Sequence, residues 1–501
     1  MIPADPVPGL QKIGSCWLPG DGSDWASTSF ADDRQVWTGR FASSSQVQQA
    51  ISAAQDAFPK WCETALQDRM NVCRNFAEVV TGRREELTAL IARETGKPLW
   101  EADLEVGTVI GKINNSIDAL LARRWTTTEQ QGDYLAVTRF RPHGIMLVLG
   151  PFNLPAHLPG SHIVPAILAG NTIVFKPSEL TPGVGQWLVQ AWQRANLPDG
   201  VINLVHGDAS IAQAAVADDR VAGVLFTGSR RAGESLHRAF AGKPHKVLAL
   251  EMGGNNPLVV HKLQDLDLAI ITVIHSAFIT SGQRCTCARR LILTEQAQPD
   301  RFILRLKELV GKIRVGYPLD HPQPFMGPVI RQQQAERMLA AQEKLRQAGA
   351  SVVLNMELLS SHSSLLSPGL IDVTGLPLED DEHFGPLLSI QRARTFDDAI
   401  ELANRTEYGL AVGLITERVD DFHYFLHRVR AGVANWNRQS TGASGRLPFG
   451  GIGASGNHQP SGFFAADYCS YPVASLESHE LSEARKLMPG LDEVGQACSW
   501  K

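Results

Sequence analysis

Several things are scarce in this sequence, and each shortage excludes something. No apolar run approaches the ~20 residues of a membrane-spanning helix. The first residues, MIPADPVPGLQKIG, have no basic segment followed by an apolar one, so no secretory leader is predicted. Cysteine is rare: seven in 501 residues, an odd number at irregular spacing. That is no disulfide framework and points to a reduced, cytoplasmic protein. Positive charge is in slight deficit, 47 Lys and Arg against 52 Asp and Glu, net −5. A dedicated nucleic-acid binder would show the opposite. Internal repeats are missing. Cys285 and Cys287 have no second Cys/His pair at ligand spacing, so no metal is expected.

What is present is an ordinary globular composition, 44% hydrophobic and 20% charged. A single core stops growing near ~250–300 residues, so the length implies at least two packed units. Residues 1–40 read as irregular with short strands. Val47, Ile51, Ala54 and Phe58 mark one face of a helix over 46–58, capped by Ser44 or Ser45 and stopped near Pro59. A second helical stretch runs through Phe76, Val80, Leu87 and Ile91 to Gly96. From Ile145 the rhythm changes. Short aliphatic runs at 145–149, 172–175, 201–205, 221–226 and 247–250 alternate with helical segments at 182–195, 209–217 and 229–241. This predicts a parallel α/β sheet. Asn153, Lys176, Thr227 and Glu251 follow the strands, at the edge where such sheets bind ligands. A helix over 266–280 and strands at 290–293, 386–392 and 411–415 predict a second α/β unit. Segments 123–143 and 463–475 each read as a β-hairpin arm.

Cys285 is a candidate nucleophile. Gly282 allows a tight turn before it, and Arg284, Arg289 and Arg290 would lower its pKa. A buried structural cysteine is the competing reading. Glu251, directly after a strand and before Gly253–Gly254, fits a general base as well as a structural carboxylate. Asn153, between Pro151 and Pro155, fits an oxyanion donor as well as a turn residue. Thr227–Gly228–Ser229 opens a helix, an anion-binding arrangement. Gly451-Ile-Gly453-Ala-Ser-Gly456 matches GxGxxG but has no βαβ context, so it is rejected as a dinucleotide fingerprint. His157 and His162, five apart, read as loop or core histidines.

GPFNLP (150–155), FKPSE (175–179), FTGS (226–229), LEMGGNNP (250–257), GQRC (282–285), EHFGP (382–386) and PFGGIGASG (448–456), in this order, resemble the aldehyde dehydrogenase family from about residue 40 to 475. The opening departs from the pattern: Ser29–Phe30–Ala31–Asp32 stands where the family tends to show Asn–Pro. A nearer resemblance is to the branch acting on N-succinylglutamate 5-semialdehyde in arginine breakdown. It lies in RPHG (141–144), NWN (435–437) and GNHQPS (456–461).

The resemblance implies a Rossmann-like cofactor domain (1–123 and 142–250) and a second α/β catalytic domain (251–445). An oligomerisation arm and tail would occupy 124–141 and 446–501. It implies Cys285 as nucleophile, Glu251 as base and Asn153 as oxyanion donor. Cofactor contacts would be Lys176, Ser178, Glu179, Phe226, Gly228, Ser229, Arg230, Arg231, Ala232, Gly233, Glu382 and Phe384. A carboxylate at Glu179 favours NAD over NADP. An anionic aldehyde would be anchored by Lys112, Arg438, Thr441, Gly442, Ala443 or Arg446. The chain would form a homodimer or a dimer of dimers, with no nucleic acid or membrane partner.

Overall fold

Doubly buried strands need a cover on both faces, and the computed structural model of the protein supplies it with two helix-flanked sheets. It describes residues 6–360, 364–377, 379–479, 481 and 488–498. Residues 1–5 of the expected first domain lie outside these, as do 480, 482–487 and 499–501 of the expected tail.

The first sheet has five parallel strands in the order Val247–Glu251, Val221–Thr227, Ile145–Leu149, Thr172–Lys176 and Ile202–Leu204. Helices His157–Ala169, Pro182–Arg194, Ala209–Ala217 and Arg230–Ala239 make the crossovers that parallel pairing requires. The register pairs Leu149 with both Lys176 and Phe226, and Thr227 with Glu251. The predicted polar residues therefore do line one carboxyl edge. The expectation of an irregular start was too weak: Val7–Ile13 and Gln35–Arg40 extend this sheet beyond Ile202–Leu204. Short alternating segments with many glycines and prolines carry little periodicity, which hid them.

The second sheet runs Ser351–Leu354, Gly369–Asp372, Leu387–Ala393, Ala288–Thr294, Asn256–Val260, Ala411–Ile415 and Val433–Trp436. Only its first strand is antiparallel. Its Asn256 pairs with Ala288 at the amino end. The chain thus leaves the carboxyl edge of one sheet at Glu251 and enters the amino edge of the other at Asn256. Each sheet has its own apolar core; Phe76 stacks on Trp192 at 4.0 Å in the first, and Phe278 and Phe302 are fully buried in the second.

Three expectations need correction. The first helix is Ser44–Glu63, capped by Ser43, and continues through Pro59. Its last turn is held by buried Trp61, whose indole donates to the Ile167 carbonyl at 3.2 Å. The second helical stretch is two helices, Leu66–Gly82 and Arg84–Thr95, broken at Arg83. The segment 463–475 is not a hairpin. It is a short helix, Ala465–Tyr468, and one strand, Ser470–Glu477, which pairs antiparallel with Tyr134–Pro142 of the hairpin Thr127–Gln131/Tyr134–Pro142. Of His157 and His162, read as loop or core histidines, both lie on helix His157–Ala169 and His162 is buried in the core.

Candidate active site

Cys285 sits on a loop whose approach is unusual. After helix Leu266–Phe278, Thr280, Ser281 and Gly282 are all left-handed, with φ of 54°, 52° and 72°. The two with side chains cost on the order of 1–3 kcal/mol each. The Thr280 hydroxyl donates to the Glu101 carboxylate, and Arg284 donates to the Thr280 hydroxyl and to Glu101, both at 2.7 Å. Ser281 donates to the Gly327 carbonyl at 2.6 Å. A Cβ on Gly282 would lie 2.1 Å from the Gly385 carbonyl oxygen, so glycine is required there twice over. On the far side, Asn256 Nδ2 donates to the carbonyls of Cys285 (2.6 Å) and Cys287 (2.9 Å).

The three arginines do not activate the thiol as expected. Arg284 is paired with Glu101. Arg290 donates to the carbonyls of Asn255, Leu402 and Ala403. Only Arg289 acts on Cys285, and it is outweighed: burial, then the carboxyls of Glu251 and Glu382, push the thiol up to about 12. The direction favours the neutral thiol, whose proton then needs a base.

Glu251 has the properties of that base. It ends strand Val247–Glu251, is 4% exposed, and accepts the Ser461 amide at 3.1 Å through Oε1. Oε2 has no hydrogen-bond partner among the described residues. Burial pushes the carboxyl up to about 8, opposed by Ser461 and by Lys112. The rejected GxGxxG segment explains how the strand is held. Asn457, just after it, accepts from Leu250 N at 2.9 Å and donates to the Leu248 carbonyl at 2.6 Å. Ser455 donates to the Gly253 carbonyl at 2.7 Å. The glycine loop clamps the edge strand of the first sheet where a sixth strand would lie.

Asn153, 6% exposed, donates from Nδ2 to the Gln283 carbonyl at 2.9 Å, two residues before Cys285. Its second amide proton has no acceptor among the described residues and is available for an oxyanion. The loop is set by Glu105, which accepts from the amides of Ala156 (2.9 Å) and His157 (3.1 Å) and pairs with Lys97. Asn153, Glu251 and Cys285 are therefore brought together at the junction of the sheets.

The expected cofactor contacts divide. Lys176 ends strand Thr172–Lys176, donates to the carbonyls of Pro177 (2.8 Å) and Gly207 (2.7 Å), and lies 3.9 Å from the Glu179 carboxylate. Ser178 accepts from Leu180 N in a local turn. Gly228 and Gly233 are close to Phe226 and Met252, where a Cβ would lie 2.4 and 2.3 Å away. Ser229 caps helix Arg230–Ala239, whose first turn, including Arg231 and Ala232, has no acidic residue; its positive end suits a phosphate. Arg230 is engaged within the protein. It pairs with Glu234 (2.7 Å) and Glu407 (2.6 Å), which a sequence cannot reveal because Glu407 is remote. Glu382 accepts from Gly254 N at 3.0 Å, and a Cβ on Gly253 would collide with it. Phe384 meets Phe152 edge-on at 6.0 Å, and the Arg289 guanidinium lies 5.2 Å from its ring. These glycine cradles and the uncompensated helix end fit a dinucleotide.

Of the expected substrate contacts, Lys112 is buried. It is 5% exposed, on helix Leu99–Arg123, with Glu251 acting on its charge. Arg446 is exposed and lies 3.5 Å from Asp118. Arg438 is exposed. The Thr441–Gly442–Ala443 loop is tied to the cysteine loop through neighbouring Ser440, which donates to the Thr286 carbonyl at 2.9 Å. Sequence reasoning missed Asn256, Asn457, Glu101 and Glu105. Asn256 lies in a quoted motif; the two glutamates carry no local signal.

A model of the aldehyde dehydrogenase family matches residues 17–472. N-succinylglutamate 5-semialdehyde dehydrogenase of Chromobacterium violaceum is 49% identical over 479 residues, covering 96% of this chain and 99% of that one. The crystal structure of an NAD-dependent aldehyde dehydrogenase from Sinorhizobium meliloti is similar with a TM-score of 0.89 and 27% identity, covering 95% of each chain. An NADP-dependent glyceraldehyde-3-phosphate dehydrogenase from Bacillus halodurans, complexed with NADP, gives a TM-score of 0.87 and 26% identity over 95% of this chain and all of that one.

Proposed function

The chain belongs to the aldehyde dehydrogenase family, and from that premise we propose that it oxidises N-succinylglutamate 5-semialdehyde to N-succinylglutamate, with NAD, in arginine breakdown. It is an oxidoreductase acting on aldehydes and uses a nicotinamide cofactor. The observation that carries the substrate is the 49% identity spanning 96% of the chain. The preference for NAD is supported by the Glu179 carboxylate, which would repel a 2′-phosphate.

The residues perform the chemistry as follows. Glu251 takes the Cys285 proton, and the thiolate adds to the aldehyde carbon. The oxyanion is held by the free proton of Asn153 Nδ2 and the Cys285 amide. When bound, the nicotinamide ring supplies the hydride acceptor. Loss of hydride leaves an acyl thioester on Cys285. Glu251, having passed its first proton to solvent, then takes one from water, whose oxygen adds to the thioester carbon; the Cys285 thiolate leaves and regains a proton from Glu251 as the acid is released. Arg438 and the Thr441–Gly442–Ala443 loop are our candidates for the distal carboxylates, because the loop is bonded to Thr286 beside the nucleophile.

We place the protein in the cytoplasm, where the described cysteines, all free, stay reduced. No helix among the described residues is long and apolar enough to cross a membrane. The exposed edge strand Thr127–Gln131 and exposed Tyr471 and Leu476 favour a dimer or dimer of dimers built on the arm.

The test is initial-rate NAD reduction with the succinylated semialdehyde, glutamate 5-semialdehyde and a simple aliphatic aldehyde, with Cys285→Ala as control. A strong preference for the first, lost in the variant, is expected. Equal or faster rates on the others would remove the substrate assignment.

A further inference from the structure

The backbone carbonyls around Cys285 are captured by side chains. Asn153 takes that of Gln283, and Asn256 takes those of Cys285 and Cys287. The carbonyls of Gly282 and Arg284 go to Arg289. One terminal nitrogen of its guanidinium donates to Gly282, and the other to Arg284 at 2.9 Å. Arg289 lies near the start of strand Ala288–Thr294, where its own carbonyl accepts the Ser389 hydroxyl at 2.8 Å. The second sheet therefore fixes its backbone. Its side chain is 2% exposed, and the Glu382 carboxylate lies 3.9 Å from the nitrogen that serves Arg284. Nε is buried with no partner among the described residues. An unpaired buried N–H is costly, and it is tolerated here while both terminal nitrogens stay on carbonyls.

The bond to Arg284 reaches the nucleophile through one peptide group. The Arg284–Cys285 peptide is trans. In a planar trans peptide the carbonyl and the N–H point in opposite directions, so fixing the one aims the other. The Arg284 carbonyl is held twice, by Arg289 and by the Cys287 amide at 3.1 Å. The Cys285 N–H has no acceptor among the described residues. It is a free backbone donor whose direction is set from the far end of its own peptide. A cation bonded to the carbonyl oxygen also polarises the group and makes the N–H a stronger donor.

We propose that Arg289 is a positioning residue for the oxyanion hole, its fork on the Gly282 and Arg284 carbonyls aiming the Cys285 amide at the developing oxyanion. This rests on the reading of the Cys285 amide and Asn153 as the oxyanion donors. A planar guanidinium can span two carbonyls at once; a lysine ammonium on a flexible stem brings the charge without that geometry. The two effects are separable. A charge acting on the thiol touches every reaction of Cys285, whereas the aim of the amide touches only those that form an oxyanion.

The experiment compares full-length Arg289→Met and Arg289→Lys with the wild type at one pH, with Asn153→Ala alongside. One measurement is kcat/KM for the preferred aldehyde at saturating cofactor, together with the inhibition constant of an alkyl trifluoromethyl ketone, whose adduct with Cys285 carries an oxyanion. The other is the rate of Cys285 alkylation by iodoacetamide, which forms none. In Arg289→Met, kcat/KM and ketone affinity should fall by about tenfold to a hundredfold more than the alkylation rate does. Arg289→Lys should alkylate like the wild type yet remain at least about threefold short in kcat/KM. Asn153→Ala should show the same split as Arg289→Met. Alkylation falling as far as oxidation in Arg289→Met would overturn the proposal, because Arg289 would then serve the thiol or the loop as a whole. So would wild-type behaviour of Arg289→Lys in both measurements, since charge alone would suffice. If Arg289→Met fails to fold, the split in Arg289→Lys decides. No split in Asn153→Ala or in either Arg289 variant would remove the oxyanion reading itself; a split in Asn153→Ala with none at Arg289 removes only the inference.

Discussion

Asn256 donates from a single amide nitrogen to the carbonyls on both sides of Thr286, Cys285 at 2.6 Å and Cys287 at 2.9 Å. The first residue of the second sheet thus fixes the loop that carries the nucleophile. Asn256→Ala leaves both carbonyls, and the Ala411 amide that Asn256 Oδ1 accepts, without their partner. A loss of ~1–3 kcal/mol in denaturant unfolding is expected, with kcat falling more than KM rises. An unchanged unfolding midpoint would show the contact to be dispensable.

Asn153→Ala keeps the backbone turn and removes the oxyanion donor. A kcat decrease of ~10²–10³ is expected, with cofactor affinity, read by fluorescence quenching, unchanged. Loss of both would mean that the side chain serves mainly to hold the Gln283 carbonyl.

The pH behaviour of Glu251 has two readouts. Its carboxyl in the folded protein, at about 8, lies far above the ordinary 4.5. Below pH 4.5 it is neutral folded and unfolded alike. As pH rises from there toward 8 the unfolded chain gains charge that the folded site resists, so this group withdraws stability across that window. Glu251→Gln should therefore gain in melting temperature over the wild type as pH rises from about 5 to about 8, while losing steady-state hydrolysis. Equal pH dependence of the two melting curves would contradict the burial-driven shift.

Glu179 lies 3.9 Å from Lys176, and the proposed NAD preference has a 2′-phosphate meeting its carboxylate. Glu179→Gln should narrow the ratio of kcat/KM for NAD over NADP by roughly tenfold, the effect of relieving about 1.4 kcal/mol of repulsion. A ratio that stays put would assign cofactor choice elsewhere.

The central part of this architecture is legible in the residues. Aliphatic runs between turn signals mark the five parallel strands because strands buried on both faces have no polar alternation to confuse them. Lys176, Thr227 and Glu251 mark the ligand edge because polarity returns where a strand leaves the core. The thiol's environment is not legible. Arg284, Arg289 and Arg290 are neighbours of Cys285 in the chain, but Arg284 is spent on Glu101 and Arg290 on three carbonyls. Distant partners decide where a charge points. The glycine loop holds strand Val247–Glu251 through Asn457, a pairing across about 200 residues that no local pattern encodes.

Glu101 and Glu105 share one helical face but reach two different parts of the site. The chemistry therefore depends on the phase of that helix as well as on the identity of its residues. Each residue of an α-helix turns the chain by ~100°. Deleting one residue between Glu101 and Glu105 would swing one of the two carboxylates off its partners while leaving every quoted motif intact. Length in this segment is constrained as tightly as sequence, whereas the exposed turn at Gly132–Asp133, which positions nothing in the site, is free to vary in both.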